Sequence, residues 1–184
     1  MPINTYKFFS FIFALTKWIA IVAVIITLIH FFVVTIFLVK GESMEPNFED
    51  GDMVMVDRIS YLLHKPNRGE AVVLKFPGDP GESKYIKRII GLPGETLSIS
   101  NGLVYINGKQ LTETYLEAGE VTLPNMSKVL GSSEYFLIGD NRNNSSDSRI
   151  WGPADRQYII GRVLLRLWPA NKIGLIEQPY YILK

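Results

Sequence analysis

Hydrophobic residues are concentrated near the amino terminus, and 22 consecutive residues, 18–39, contain no Asp, Glu, Lys or Arg. At about 1.5 Å per residue, a helix of this length extends roughly 33 Å, the thickness of a bilayer core. A helix in a soluble core is seldom apolar around its whole circumference. The pattern therefore predicts an uncleaved transmembrane signal-anchor over residues 18–39.

Charges on either side of this segment predict its orientation. Lys7 and Lys17 precede it without a neighbouring acidic residue, whereas several carboxylates follow it. The positive-inside rule then places residues 1–17 in the cytoplasm or at the interface, and residues 40–184 on the opposite side. Residues 8–16 are apolar but too few to cross a membrane, so we expect them to lie at the interface or to extend the helix. His30 is expected to be a tolerated neutral imidazole.

After Lys40 the pattern changes to short apolar segments separated by glycine and proline. Asn107-Gly108 predicts a tight hairpin turn, because both residues accept positive φ. No long helical period follows residue 40, so the fold class is predicted to be mainly β, an antiparallel sandwich or barrel-like domain behind one N-terminal transmembrane helix. Residues 119–133 are predicted to form a surface loop. The predicted strands are Met53–Asp57, Ala71–Phe76, Tyr85–Ile90, Leu103–Ile106, Tyr135–Ile138 and Tyr158–Trp168.

Composition then restricts the chemistry. The 184 residues include two histidines and no cysteine, and 19 Lys+Arg face 18 Asp+Glu for a formal net charge of +1. These counts exclude a thiol nucleophile, a disulfide framework and a Cys-ligated metal, and they give no electrostatic signature of nucleic-acid binding. No cofactor or metal is expected. His64 lies in a turn-like context, which favours a solvated side chain, so a serine activated by a lysine remains as the catalytic option.

Three segments become informative together. They are Gly41-Glu-Ser-Met-Glu-Pro46, Tyr85-Ile-Lys-Arg-Ile-Ile-Gly-Leu-Pro-Gly94 and Gly139-Asp-Asn-Arg-Asn-Asn-Ser-Ser-Asp-Ser-Arg149. Each alone has an ordinary interpretation as a turn, a strand or a polar loop. The third segment is the most unusual, because eleven residues rich in Asn, Asp, Ser and Arg rarely separate two strands without a binding or structural role.

In this order, behind the apolar segment, the three resemble the type I signal peptidases, also called leader peptidases, over nearly the whole chain. The resemblance implies a membrane-anchored serine endopeptidase that removes signal peptides from exported preproteins after A-x-A-like sites. It places the chain in a bacterial cytoplasmic membrane, with its N-terminus inside and residues 40–184 outside. The implied partners are signal peptides and the lipid bilayer, beside the protein translocation channel.

The same resemblance implies a role for each motif residue. Ser43 is the nucleophile and Lys87 the general base. That role requires burial to lower the lysine pKa from about 10.4 to roughly 7–8. Ser145 is expected to orient the lysine amine. Asp147 and Arg149 are expected to form a supporting ion pair, which Arg88 joins. Strand alternation places Arg88 on the face opposite Lys87, where it is expected to remain hydrated.

An extended substrate requires shallow apolar pockets on one side, because alternate side chains of a strand face the same way. Phe37, Val39, Tyr85 and Ile86 are the candidate lining residues, and Met44 is the candidate floor. The chain departs from the family pattern at Gly41, where many relatives have a serine that stabilises the oxyanion, so the second oxyanion donor stays open. Five aromatic residues are candidates for resting the domain on lipid: Phe48, Trp151, Trp168, Tyr180 and Tyr181.

Three alternatives remain from the sequence. A self-cleaving repressor-type Ser/Lys protease is disfavoured by the anchor and by the lack of a basic helix. A specialised protease for one secretion or conjugation substrate is harder to exclude. An anchored, non-catalytic scaffold of the export machinery is disfavoured by the intact Ser43, Lys87 and Ser145.

Overall fold

The computed structural model describes residues 5–32, 34–76, 78, 81, 83–177 and 179. Helix α1 (Thr5–Phe32) comes first and is long and apolar enough to cross a membrane. The hydroxyls of Thr16 and Thr27 donate to the Phe13 and Ala23 carbonyls, 3.0 and 2.8 Å away, so these polar groups are satisfied within the helix. The mainly β fold with one N-terminal apolar helix is confirmed.

The helix differs at both ends from the predicted transmembrane helix over residues 18–39. The helix starts at Thr5, so residues 8–16 extend it, and it ends at Phe32. Val34–Leu38 form strand β1, which pairs with the next strand. These last residues are rich in β-branched side chains, which pack well on a pleated surface, and periodicity alone does not separate a strand from a helix inside a continuous apolar run. The side chain of His30 lies outside the described residues.

The described residues after α1 form two antiparallel sheets. The strands are β1 (Val34–Leu38), β2 (Met53–Asp57), β3 (Ala71–Lys75), β4 (Lys84–Gly91), β5 (Thr96–Ser100), β6 (Leu103–Ile106), β7 (Lys109–Gln110), β8 (Met126–Val129), β9 (Glu134–Ile138), β10 (Ala154–Asp155), β11 (Ile159–Trp168) and β12 (Gly174–Leu175). Two short helices, α2 (Ser60–Leu63) and α3 (Ser148–Trp151), and two 3-10 turns, Arg156–Tyr158 and Ala170–Lys172, complete them.

The larger sheet has the order β1-β2-β11-β3-β4-β9-β10, with β12 beside β11, and the smaller has the order β7-β6-β5-β8. All six predicted strands are present, with ends that differ by at most one residue. Asn107 and Gly108 have φ of 51° and 79°, so the predicted hairpin turn joins β6 to β7. The predicted 119–133 loop is wrong in part, because Met126–Val129 pair with β5 as strand β8.

Three apolar clusters fill the interior. One lies between the smaller sheet and the ends of β4 and β9, and the other two lie against the larger sheet. In β2, the alternating Val54 and Val56 point into the second cluster. The opposite face of β2 continues across its neighbours in two rows, Leu38–Met53–Trp168 and Ile36–Met55–Leu165–Leu175. We call this exposed apolar surface the outer sheet face.

The aromatic residues expected to face lipid differ in whether they lie in the interior or on the surface. Phe48 is buried in the second cluster, and Trp151 is half-buried against the third, so neither is free to contact a membrane. Trp168 is exposed on the outer sheet face. Tyr180 and Tyr181 lie outside the described residues.

Candidate active site

Ser43 and Lys87 are brought together from segments 44 residues apart. Lys87 projects from the middle of β4, and Ser43 lies in the turn that follows β1. The Lys87 Nζ donates a hydrogen bond of 2.6 Å to the Ser43 Oγ. Because the two groups touch without an intervening residue, the amine is placed to exchange a proton with the serine hydroxyl.

The Lys87 side chain is deeply buried, with only 1% of its surface exposed. This burial lowers the pKa of Lys87 to about 8, against the raising effect of the negative charges on Asp147 and Asp140. Desolvation disfavours the ammonium form, which is the effect that a lysine base requires. The ring of Tyr85 lies 5.7 Å from the Nζ. At neutral pH the amine therefore has a substantial neutral fraction.

The third sequence segment supports the serine through its backbone. The Asn141 N–H donates to the Ser43 carbonyl at 3.1 Å, and its side-chain amide donates to the Glu42 carbonyl at 3.2 Å. Asn144 donates to the Glu42 carboxylate at 3.1 Å. These contacts fix the peptide that carries the Ser43 side chain. Sequence reasoning missed both asparagines, although the run Asn-Arg-Asn-Asn in a loop was a signal for such bonding.

Asp147 and Arg149 form the predicted ion pair. The Arg149 Nε and one terminal nitrogen each lie 2.8 Å from an Asp147 oxygen, and the Gly139 N–H donates to the same carboxylate at 3.0 Å. Burial would raise the pKa of Asp147, but the hydrogen bonds from Arg149 and Gly139 outweigh it and hold the pKa below its usual value. Arg149 also donates to the Arg142 and Leu123 carbonyls, which closes the loop.

Two expectations about this loop are wrong. Arg88 is buried rather than hydrated, and it pairs with Asp140 at 2.5 and 2.8 Å instead of joining Asp147 and Arg149. Both faces of β4 are covered here, so the alternate position is also interior. Ser145 is half-buried, and its inaccessible hydroxyl oxygen forms no hydrogen bond with the Lys87 amine. Its hydroxyl instead lies against Gly139, where an added Cβ would overlap it.

A groove runs beside the serine between β1 and the start of β4. The cavity there has a volume of about 250 Å³. All five residues predicted to contact substrate line it, together with Ser43 and six residues that the sequence analysis did not propose. The predicted set is Phe37, Val39, Met44, Tyr85 and Ile86, and the additional set is Leu38, Lys40, Gly41, Val73, Ser83 and Lys84.

Gly41 has φ of +84°, a left-handed conformation that glycine adopts at little cost. Its N–H donates to an Asp50 carboxylate oxygen at 2.7 Å, which holds the turn before the nucleophile. Gly41 therefore contributes a backbone conformation at this position and no side chain. A buried lysine bonded to a serine beside an open apolar groove is an arrangement suited to serine-hydrolase chemistry.

Comparison with known proteins gives the family. The family model described as signal peptidase, peptidase S26, matches residues 12–168. The chain therefore belongs to the peptidase S26 signal peptidase family, and it is a peptidase by that membership.

Individual relatives agree. The probable signal peptidase I-2 of Synechocystis sp. is 40% identical over 170 residues, which cover 86% of this chain and 74% of the relative. Signal peptidase IB of Staphylococcus aureus strain MRSA252 is 36% identical over 185 residues, covering 90% of this chain and 95% of the relative. A crystal structure of a signal peptidase I from Enterococcus faecalis V583 has 28% identity and a TM-score of 0.48, and covers 54% of this chain and 97% of its own.

Proposed function

We propose that this chain is a membrane-anchored serine endopeptidase that removes signal peptides from exported preproteins after A-x-A-like sites. Ser43 is the nucleophile and Lys87 the general base. The observation that carries the proposal is the 2.6 Å contact between the two side chains, with the lysine withdrawn from water.

The proposed reaction begins with neutral Lys87. With a pKa of about 8, about a tenth of the amine is neutral at pH 7. The amine accepts the proton of the Ser43 hydroxyl as its oxygen attacks the scissile carbonyl, and the resulting ammonium protonates the departing amine. A water molecule, deprotonated by the same lysine, then hydrolyses the ester and restores the serine.

The oxyanion of the tetrahedral intermediate requires donors beside Ser43. We assign the Ser43 N–H as one of them. Gly41 has no side chain to supply the second, so that donor is a backbone N–H or water. Asp147 and Arg149 fix the loop that holds the nucleophile, and Ser145 has no assigned step.

The groove supports the proposed substrate class. An extended peptide beside β1 would present alternate side chains to the cavity formed by Phe37, Val39, Met44 and Ile86. A cavity of about 250 Å³ shared by two such side chains suits small residues. This matches the small residues at both recognised positions of an A-x-A-like site.

Membrane anchoring is proposed for α1. Lys7 and Lys17 favour a cytoplasmic N-terminus, which leaves both sheets outside and next to the translocation channel that delivers preproteins. The outer sheet face adds an apolar surface that includes Leu38 and Trp168, and it adjoins the groove through β1. Lipid contact there would hold the groove at the membrane surface, where a signal peptide leaves the bilayer.

The test is cleavage of several exported precursors by the full chain in proteoliposomes, with N-terminal sequencing of each product. Ser43→Ala and Lys87→Ala should each abolish cleavage, while the exposed Ser132→Ala and Lys128→Ala, matched in residue type, should retain it. Normal cleavage by Lys87→Ala would contradict the mechanism. Cleavage of one precursor alone would indicate the specialised protease, and no cleavage by the unaltered chain would favour the scaffold.

A further inference from the structure

Helix α2 presents two adjacent leucines to solvent. Leu62 is 81% exposed and Leu63 is 75% exposed, more than any other large hydrophobic side chain described outside α1. Isolated exposed leucines are common, but a projecting pair requires an explanation.

This turn is held firmly rather than loosely attached. Ser60 bonds the Asp57 carboxylate through its N–H at 3.0 Å and its hydroxyl at 2.5 Å. Tyr61 is buried, and its hydroxyl donates to Glu70 at 2.5 Å while the Arg156 guanidinium lies 5.1 Å from its ring. The two leucines therefore project from a rigid base, so their exposure is not the consequence of a floppy loop.

The turn lies at the end of the larger sheet where α1 arrives. Val34, the first residue of β1, pairs with Asp57, the last residue of β2. Only one residue separates Val34 from Phe32, the last residue of α1. Because paired Cα atoms lie about 5 Å apart, the Ser60 bonds to Asp57 bring α2 close to the outer end of the proposed anchor.

The charges around the leucines suit an anionic surface. Arg58, His64 and Lys65 are exposed, and residues 58–65 include no carboxylate. The flanking acidic side chains, Asp57 and Glu70, both accept hydrogen bonds from the turn, and Arg162 contacts both. A projecting apolar pair between cationic side chains is the composition of an interfacial membrane contact.

We propose that α2 is a second membrane contact, in which Leu62 and Leu63 enter the interface of an anionic phospholipid bilayer and Arg58 and Lys65 meet its phosphates. The proposal rests on the anchoring role of α1 given above. It adds a point of attachment beside the anchor. A contact away from the anchor axis restricts how the domain is turned about that axis, as the proposed lipid contact of the outer sheet face also does.

The absence of cysteine makes a depth measurement direct. Leu63→Cys in the full chain gives a single site for an environment-sensitive fluorophore, and the chain is reconstituted in vesicles that contain phosphatidylglycerol. The matched control is Val129→Cys, an apolar residue of 67% exposure in the smaller sheet. Nitroxide groups attached to the lipid chains should quench the probe at residue 63 and leave the probe at residue 129 unquenched.

Equal quenching at the two positions would overturn the proposal. So would a blue shift at residue 63 without lipid quenching, which would indicate a protein partner. Vesicles of phosphatidylcholine alone should reduce the quenching at residue 63, because the cationic side chains then lose their attraction. None of these readings requires activity, so they stand even if the proposed peptidase function fails.

A second variant connects the contact to turnover. Leu63→Asp should lower preprotein cleavage in vesicles roughly threefold to tenfold, because a carboxylate replaces a partitioned leucine side chain. Cleavage of a short water-soluble peptide in detergent should be unchanged, as should both activities of Val129→Asp. Equal losses in vesicles and detergent would indicate misfolding or a different role, and would contradict the proposal.

Discussion

Lys87 is the residue on which the proposed chemistry of this molecule depends. Lys87 owes its proposed role to position rather than to residue type, since other lysines, such as Lys84 on the same strand, are exposed. Burial lowers the pKa of Lys87 to about 8, while Asp147 and Asp140 resist that change. The two carboxylates therefore limit how far the pKa of Lys87 falls. The pH dependence of the activity should follow the pKa that results from burial and these two charges.

The pH dependence of turnover is the corresponding prediction. In the proposed mechanism the neutral amine is the reactive form. The kcat/KM for preprotein cleavage should therefore rise about tenfold per pH unit below pH 7 and level off above the pKa near 8. The exposed Lys128→Gln should give the same profile. A rate that does not change between pH 6 and 9 would contradict a lysine base.

Elimination left a serine activated by a lysine, because few other catalytic groups were present, and the resemblance to the type I signal peptidases assigned the pair to Ser43 and Lys87. Sequence reasoning could not reach the surroundings of Ser145, since a hydrogen bond depends on the course of two backbones. Strand alternation correctly separated Lys87 from Arg88. It did not show that the second face of β4 is also covered, because that cover comes from residues distant in sequence.

At the level of elements, the segment 139–149 supports Ser43, the proposed nucleophile. It contacts the peptide of Ser43 through Asn141 and is closed by the Asp147–Arg149 pair. Gly139 lies where β9 enters this loop, and a Cβ there would overlap the Ser43 carbonyl oxygen and the Ser145 hydroxyl. The glycine is required for space, because its φ is not in the left-handed region.

Gly139→Ala should therefore displace the Ser43 peptide and lower kcat at least tenfold, since displacements of about 1 Å at a reacting group have effects of this size or greater. Gly174→Ala is the matched control, because an added Cβ there meets no atom within 4 Å. Single-turnover kinetics on the two variants would separate chemistry from binding. Similar kinetics for both variants would show that the loop can relax around a methyl group.

Element boundaries were less predictable than element types. The end of α1 and the start of β1 lie in one apolar run, where only the tertiary pairing with β2 decides the conformation. Strand β5 was missed because polar residues alternate with its buried Leu97 and Ile99, and strand β8 because its residues are mostly exposed. A strand with one wet face gives a weak signal when it is only four or five residues long.

Across the whole molecule, the buried Arg88–Asp140 pair joins distant parts of the chain. Arg88 belongs to β4, donates to the Gly69 carbonyl at 2.8 Å and stacks on Tyr115 with its guanidinium 4.2 Å from the ring centre. Asp140 also accepts a hydrogen bond of 3.0 Å from the side chain of Asn47, which follows Ser43 in the chain. The pair thus connects the larger sheet, the supporting loop and the segment that leads to the smaller sheet.

Removing one charge of this pair should destabilise the fold. Asp140→Asn leaves the Arg88 guanidinium buried without its counter-charge, and we expect a loss of about 3–5 kcal/mol in the free energy of unfolding. The control is Glu49→Gln in the exposed pair with Lys172, for which we expect no measurable loss because solvent screens that pair. Denaturant unfolding would compare them, and equal losses would contradict the structural importance of the buried pair.

The single residue between α1 and β1 has a mechanical consequence. A long linker would let the peptidase domain sample many heights and tilts. A separation of one residue in the sequence limits how far the strand that borders the groove can lie from the end of the proposed anchor. The short connection then restricts the distance between the bilayer and the cleavage point. Selection of a cleavage site would depend on how far it lies from the signal peptide's own apolar segment, as well as on which residues flank it.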